Sequence, residues 1–235
     1  MAFKEGDFIE FEYTAWRVAD NSMVFTTDKK KAEENGIYHK DAKYGPQLLI
    51  LGKGNAIKGL ENAIKGMSIN ETKKIEISPQ EAFGERNSDL VRIMPLSDFR
   101  NKDITPYPGL QLEIDEHIAT VKSVNSGRVL VDLNHPLAGE KLLYEVKVDK
   151  LITGEKEKID ALTKSYDITP NKIEIADGMA RITIGSNVKR DANYFINKEL
   201  LVKDLLSNLN LQKIIIEEEY EKESSNAKES NTKEH

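Results

Sequence analysis

Polar and apolar residues alternate in FIEFEY, residues 8–13: Ile9, Phe11 and Tyr13 fall on one side and two glutamates on the other. A period of two predicts a half-buried β-strand. SMVFTT predicts a second strand, joined to the first across a turn near Asp20-Asn21. TDKKKAEENG reads as a short helix closed at Gly36. In LGKGNAIKGLENAIKGM, the residues Ala56, Ile57, Leu60, Ala63 and Ile64 form one apolar stripe at helical spacing. Asn55 is placed to cap that helix, and Gly66 to end it in a left-handed conformation. ETKKIEI alternates as a strand, and SPQEAFGERN reads as a loop.

Near Leu90 the texture changes. LVRIMPLSDF and ITPYPGL lead into short alternating segments, LQLEI, IATVKSV and GRVLVDL, the last two joined at Asn125–Gly127 as a hairpin. This predicts a small β-rich module. EKLLYEVKV is one more long alternating strand. After Leu151, TGEKEKID reads as a charged linker entering a helix, and NKIEIADGMARITI as a hairpin turning at Asp177-Gly178. DANYFINKELLVKDLLSNL is helical, with Phe195, Leu200 or Leu201, Leu205 and Leu206 spaced for one face, and LQKIIIEEEY is a strand. Residues 221–235 lack an apolar run and are expected to be a disordered charged tail.

The chain has 235 residues, 39% of them hydrophobic and 31% charged, which fits one large domain or two to three small ones. It holds no apolar run long enough to span a bilayer, and its first residues, MAFKEGDFIEFEY, show no export signal. There is no cysteine, so disulfides, thiolate catalysis and cysteine-based metal sites are excluded, and a cytoplasmic protein is expected. The net charge of −6 argues against nucleic acid as partner, because Lys29-Lys30-Lys31 is bracketed by Asp28, Glu33 and Glu34 as on a solvated helix face.

Glycine and lysine around residue 54 suggest a phosphate cradle, but the pattern fails. Counted from Gly54, Leu60-Glu61 stand where Lys-Ser/Thr are required; counted from Gly52, Ile57 replaces the third glycine of a dinucleotide fingerprint. His39, His117, His135 and His235 show no metal-ligand spacing, and no G-x-S-x-G elbow occurs. No metal, no cofactor and no acid–base or nucleophilic residue is expected.

FIEFEYTAW, VFTT, LGKGNAIKGLENAIKGM, ISPQEAFGE and LLYEVKV occur in the order and spacing of the FKBP-type peptidyl-prolyl cis–trans isomerases, which the chain resembles over residues 1–152. NSGRVLVDLNHPLAGEKL resembles the end of the flap insert of SlyD-like isomerases, and the length resembles their long-chain archaeal branch. The resemblance implies an α+β fold: an antiparallel half-barrel sheet wrapped on one helix, a β-rich insert domain in the flap loop, and a mixed α/β C-terminal domain. The implied boundaries are 1–87 with 132–152 for the split isomerase domain, 88–131 for the insert and 156–220 for the C-terminal domain.

It also implies an apolar pocket lined by Tyr13, Phe25, Ala56, Ile57, Leu60, Phe83, Leu137 and Tyr144, with Thr26 and His135 at its rim. Thr26 stands where relatives commonly carry aspartate, Phe83 where many carry tyrosine, and Gln47 where an apolar or aromatic side chain is usual. Met94, Leu96, Phe99, Ile104, Tyr107 and Leu110 of the insert are candidates for holding client chains, or else form its own core. The function implied is isomerisation of X–Pro bonds in unfolded polypeptides; separately, IIIEEEY as an edge strand and the leucine-rich helix as an apolar face suggest homodimerisation through the C-terminal domain. The alternative is a holdase or assembly protein whose pocket has degenerated.

Overall fold

A computed structural model describes residues 3–115 and 117–221. β1 (Phe8–Arg17) and β2 (Met23–Thr26) form an antiparallel pair, turned by Asn21 in a left-handed conformation. α1 (Lys29–Glu34) is capped by the Asp28 carboxylate, which accepts hydrogen bonds from the amides of Lys30 and Lys31. β3 (Gln47–Ile50) is followed by α2 (Lys58–Lys65) and β4 (Thr72–Ile77). Next come β5 (Val91–Pro95), α3 (Leu96–Arg100), β6 (Gln111–Ile114), β7 (His117–Asn125) and β8 (Arg128–Asp132). β9 (Leu142–Ile152), α4 (Glu155–Ser165), β10 (Lys172–Ala176), β11 (Met179–Ile184), α5 (Ala192–Asn208) and β12 (Lys213–Glu218) complete the chain. The charged tail expected from residue 221 lies outside the described residues, Glu221 excepted.

The chain divides into two compact units. The first is built mainly from Phe11–Pro46 and Gly52–Asp149 and contains two antiparallel sheets. One has the order β2-β1-β9-β4. The other, β5-β8-β7-β6, arises between β4 and β9 and buries its own core of Phe99, Ala119, Val121, Val129, Val131 and Leu133.

The segments leading into and out of this second sheet run side by side. The Gly139 amide donates to the Gly84 carbonyl at 2.8 Å, and the Leu133 amide to Leu90 at 2.9 Å. Between them, the Asn134 side chain accepts from the Asn87 amide at 2.8 Å and donates to the Asn87 carbonyl at 2.9 Å. Asn134 also donates through its backbone and side chain to Asp132, which pairs with Arg86 and lies 3.7 Å from Lys122. Burial pushes the Asp132 carboxyl up, but these hydrogen bonds and cations outweigh it and hold the pKa below the usual carboxylate value.

The second unit takes in Glu5–Glu10, Gln47–Leu51 and the chain from Lys150 onward. β3 pairs with β1 there. The core gathers Phe8 and Ile50 with Ile159, Leu162, Ile168, Ile182, Leu201, Leu205 and Leu211. Its sheet has the order β10-β11-β12. Asp177 and Gly178, both at positive φ, turn the β10–β11 hairpin, as NKIEIADGMARITI predicts. β12 instead runs parallel to β11, a pairing that requires the crossover which α5 supplies.

Four expectations need correction. α2 begins at Lys58, and the residue in its capping position is Ile57, without a side-chain bond. Asn55 stands two residues before that position, and the Glu61 carboxylate reaches back to the Gly52 amide. Gly66 has φ −93, so the helix ends without a left-handed residue. The charged run after Leu151 is itself the first turns of α4. On α5 the buried stripe is Tyr194, Leu201 and Leu205, whereas Phe195, Leu200 and Leu206 are exposed. A helix with apolar residues on two faces cannot be oriented from spacing alone.

Gly59 sets how closely α2 approaches β4. A Cβ there would lie 2.4 Å from Ile77 Cγ2, on a side chain only 1% exposed. Alanine improves helix propensity by up to about 1 kcal/mol, but overpacking costs about 1–3 kcal/mol. Gly59→Ala is therefore expected to lower the urea midpoint; a midpoint at or above wild type would show that the approach is slack. Asp132→Asn is expected to cost about 1–3 kcal/mol at neutral pH, the half-exposed Arg86 and Lys122 contributing little of it. Because the folded pKa is depressed, that stabilisation is complete above the ordinary carboxylate value and is lost as pH falls through the lowered one. Urea titrations should show the gap between wild type and Asp132→Asn narrowing below about pH 4.

Candidate active site

Strand alternation puts Phe11 and Tyr13 of β1 on one face. In the β1–β2 pair Ala15 lies opposite Phe25, so Tyr13, Ala15 and Phe25 share that face. On β9 the buried set is Leu142, Tyr144, Val146 and Val148, with Tyr144 opposite Ile75 and Leu142 opposite Ile77 of β4. α2 turns Leu60 and Ile64 inward, and Gly59 meets Ile77. Ala56 and Ile57 lie half-buried in the turn before the helix. Positive φ at Gly52 and Gly54 makes that turn.

Two aromatic groupings result. The Tyr13 ring lies 5.7 Å from Tyr144, tilted by 34°. Phe25 lies 6.0 Å from Phe83, and Phe83 is stacked flat against His135 at 4.2 Å. His135 Nδ1 accepts from the Leu137 amide at 3.1 Å, which requires a neutral ring with its proton on Nε2. Burial lowers the His135 pKa and favours the same neutral form. One imidazole thus ties Phe83 to Leu137, itself 5% exposed. Burial raises the Tyr13 phenol, and burial together with Tyr13 raises that of Tyr144, so both are protonated donors at neutral pH.

Thr26, expected at the rim, faces the other side. It stands opposite Thr14, their hydroxyls are 3.0 Å apart, and its Oγ1 accepts from the Asp28 amide at 3.1 Å. The period of two fixes this: if Phe25 faces the aromatic cluster, Thr26 cannot. The buried Thr27 returns to the Tyr13 side, and counting from Phe25 would have found it. Its hydroxyl accepts from the Tyr13 amide at 3.0 Å and donates to the Tyr13 carbonyl. Gln47 begins β3 and belongs to the second unit.

In the second sheet of the first unit, Phe99 is core, and Met94, Leu96, Ile104 and Leu110 pack against it. Of the six residues picked out as client-binding, only Tyr107 is strongly exposed. Ile93 and Ile118, which single-residue reasoning passed over, are 65% and 66% exposed. A cavity of about 130 Å³ remains open between Met94, Phe99, Ile104, Leu112 and Ile114, rimmed by Asp98, Lys102, Glu113 and Asp115.

A larger cleft of about 430 Å³ is bordered by Tyr13, Thr27, Lys29, Lys31, Glu145 and Lys147. Its charges are paired, Lys31 with Glu145 at 3.9 Å and Lys147 with Glu12 at 3.8 Å. Among the described residues no group of three or more histidine, aspartate or glutamate side chains is placed to hold a metal, and no helix is long and apolar enough to cross a membrane.

A family profile described as FKBP-type peptidyl-prolyl cis-trans isomerase matches residues 1–100, and one described as FKBP26, IF domain, matches residues 92–137. The chain is 31% identical over 154 residues to the short-type peptidyl-prolyl cis-trans isomerase of Methanocaldococcus jannaschii, covering 66% of this chain and 97% of that protein. It is 29% identical over 137 residues to a probable FKBP-type 16 kDa isomerase of Pseudomonas fluorescens, covering 56% and 90%. It is 29% identical over 136 residues to the isomerase SlyD of Pasteurella multocida, covering 56% and 68%. The one-sided aromatic face and the sheet inserted between β4 and β9 are therefore those of a family member: the chain belongs to the FKBP-type peptidyl-prolyl cis–trans isomerases and carries an insert-in-flap domain.

Proposed function

We propose that the aromatic face is the catalytic pocket and that the chain works as a folding chaperone on unfolded, proline-containing polypeptides. The observation that carries this is the pairing of Tyr13 with Tyr144 on the sheet and of Phe25 with Phe83 of the turn segment that follows β4. Amide resonance imposes a barrier of about 18–20 kcal/mol on the X–Pro bond, and its relaxation over tens of seconds can limit folding. Twisting the bond removes resonance and with it charge from the carbonyl oxygen. Water stabilises the planar, polar amide better than the twisted one; an apolar aromatic wall reverses that preference. Each 1.36 kcal/mol gained is a tenfold acceleration, and no nucleophile or metal is required.

The insert is the client-binding module in this reading. Ile93, Tyr107 and Ile118 offer exposed apolar surface, and the 130 Å³ cavity beside Met94 is large enough for one side chain. A client held there meets the pocket at a raised effective concentration. The C-terminal unit dimerises in the same reading, through the exposed Phe195, Ile196, Leu200 and Leu206 of α5 and the edge strand β12.

Phe83→Ala is expected to slow cis-to-trans isomerisation of a short X–Pro peptide at least tenfold, while deletion of residues 90–131 leaves that rate near wild type and slows refolding of a proline-limited protein. Wild-type rates equal to the uncatalysed ones in both assays would leave only a binding role. Equal refolding catalysis with and without the insert would remove its client-binding role. Sedimentation equilibrium should give twice the chain mass, reduced to one by Ile196→Glu with Leu200→Glu; a monomeric wild type overturns the dimer.

A further inference from the structure

Tyr144 is 3% exposed, and the other residues that β9 buries beside it, Leu142, Val146 and Val148, are apolar. Among the described residues its hydroxyl has no hydrogen-bond partner, and neither has that of Tyr13 beside it. The other hydroxyls nearby are committed. Thr27 exchanges hydrogen bonds with the Tyr13 backbone, and Thr26 bonds Thr14 and Asp28 on the opposite face. Phe83 has no hydroxyl to offer, and His135 Nδ1 is taken by Leu137. The Tyr144 hydroxyl oxygen itself is not sealed in, since it is not one of the fully enclosed unpaired atoms of the described residues, and so a ligand can reach it. A phenylalanine at residue 144 would fill the same space with no polar atom to satisfy. A hydroxyl that meets no protein group and can still be reached is free to take a ligand's acceptor.

Resting on the pocket reading above, we propose that the Tyr144 hydroxyl is a substrate-binding donor that grips a backbone carbonyl of the bound prolyl segment other than the one that rotates. The chemistry of the substrate favours a donor. Proline has no N–H, so the X–Pro unit presents carbonyl acceptors and no prolyl donor. A phenol whose pKa is raised by burial stays protonated throughout the neutral range and donates. The rotating carbonyl is excluded because a hydrogen bond to its oxygen would favour the planar, charge-separated amide and oppose catalysis. A grip on a neighbouring carbonyl is equally strong in the ground and transition states. It holds the segment without resisting the twist.

Tyr144→Phe separates this role from a structural one. The expected result is a KM for an X–Pro peptide raised about three- to tenfold, as for loss of one neutral hydrogen bond, with kcat within twofold. The melting temperature should stay close to wild type, because the hydroxyl makes no hydrogen bond within the described residues. An unchanged KM overturns the proposal, and shows the hydroxyl to be satisfied by water or by nothing. A raised kcat overturns it too, by placing the hydroxyl on the rotating carbonyl. So does a melting temperature well below wild type, which would make the hydroxyl a structural partner. Phe25→Ala, measured alongside, tests the underlying pocket: if it retains full activity the pocket reading fails, whereas loss there with an unaltered Tyr144→Phe removes only the Tyr144 assignment.

Discussion

Residues 84–90 and 132–139 run past each other where the inserted sheet leaves and rejoins the first sheet, and the hydrogen bonds across them fix what lies on either side. Asn134 is the centre of that crossing. Its amide answers both the N–H and the C=O of Asn87, doing with a side chain what a strand rung does with backbone. The ladder continues on one side through Leu133 and Leu90 into the β5–β8 pair, and on the other to Gly139 and Gly84. Phe83 precedes one strand of the crossing and His135 sits within the other, so the stacking that positions Phe83 depends on the same register. Two buried polar side chains, Asp132 and Asn134, would be costly here if unpaired; fully paired, they specify one crossing geometry.

The isomerase sheet was legible because its strands are amphipathic and its motifs stand in a fixed order. FIEFEY, SMVFTT, ETKKIEI and EKLLYEVKV all became strands, the first and last running past the alternating segment to Arg17 and Ile152. What escaped was tertiary. The start of α2 is set by Glu61 reaching back to Gly52 and by Gly59 meeting Ile77, neither of which a capping rule at Asn55 can register. Thr26 was legible and was passed over, since counting twos from Phe25 turns it outward. On α5 two apolar stripes compete, and only the Ile159, Leu162 and Ile182 core decides between them.

The candidate site shows the same division. Order and spacing brought Tyr13 to Tyr144 and Phe25 to Phe83, but the hydrogen-bond state of each hydroxyl depends on neighbours distant in sequence. In the insert, five of the six residues first considered for clients are drawn into its small core, while Ile93 and Ile118 stay outside it. A four-stranded sheet with one α-helix covers one of its faces only, and that geometry leaves side chains such as these in solvent.

The core of the second unit joins Phe8 to Leu211, nearly opposite ends of the chain, and its sheet is finished by the parallel strand β12. Such long-range contacts are the slowest to form, because the loop they close must be ordered before they repay it. The inserted sheet is the contrary case, since all four of its strands lie within one contiguous stretch. During synthesis from the N-terminus, the insert has every strand it needs long before β12 emerges. β1 finds β2 at once, but Phe8 is made long before Leu211, so that part of the second core stays open until the segment after α5 has been synthesised. The core of the second unit is thus the long-range one by topology, and the inserted sheet the most local.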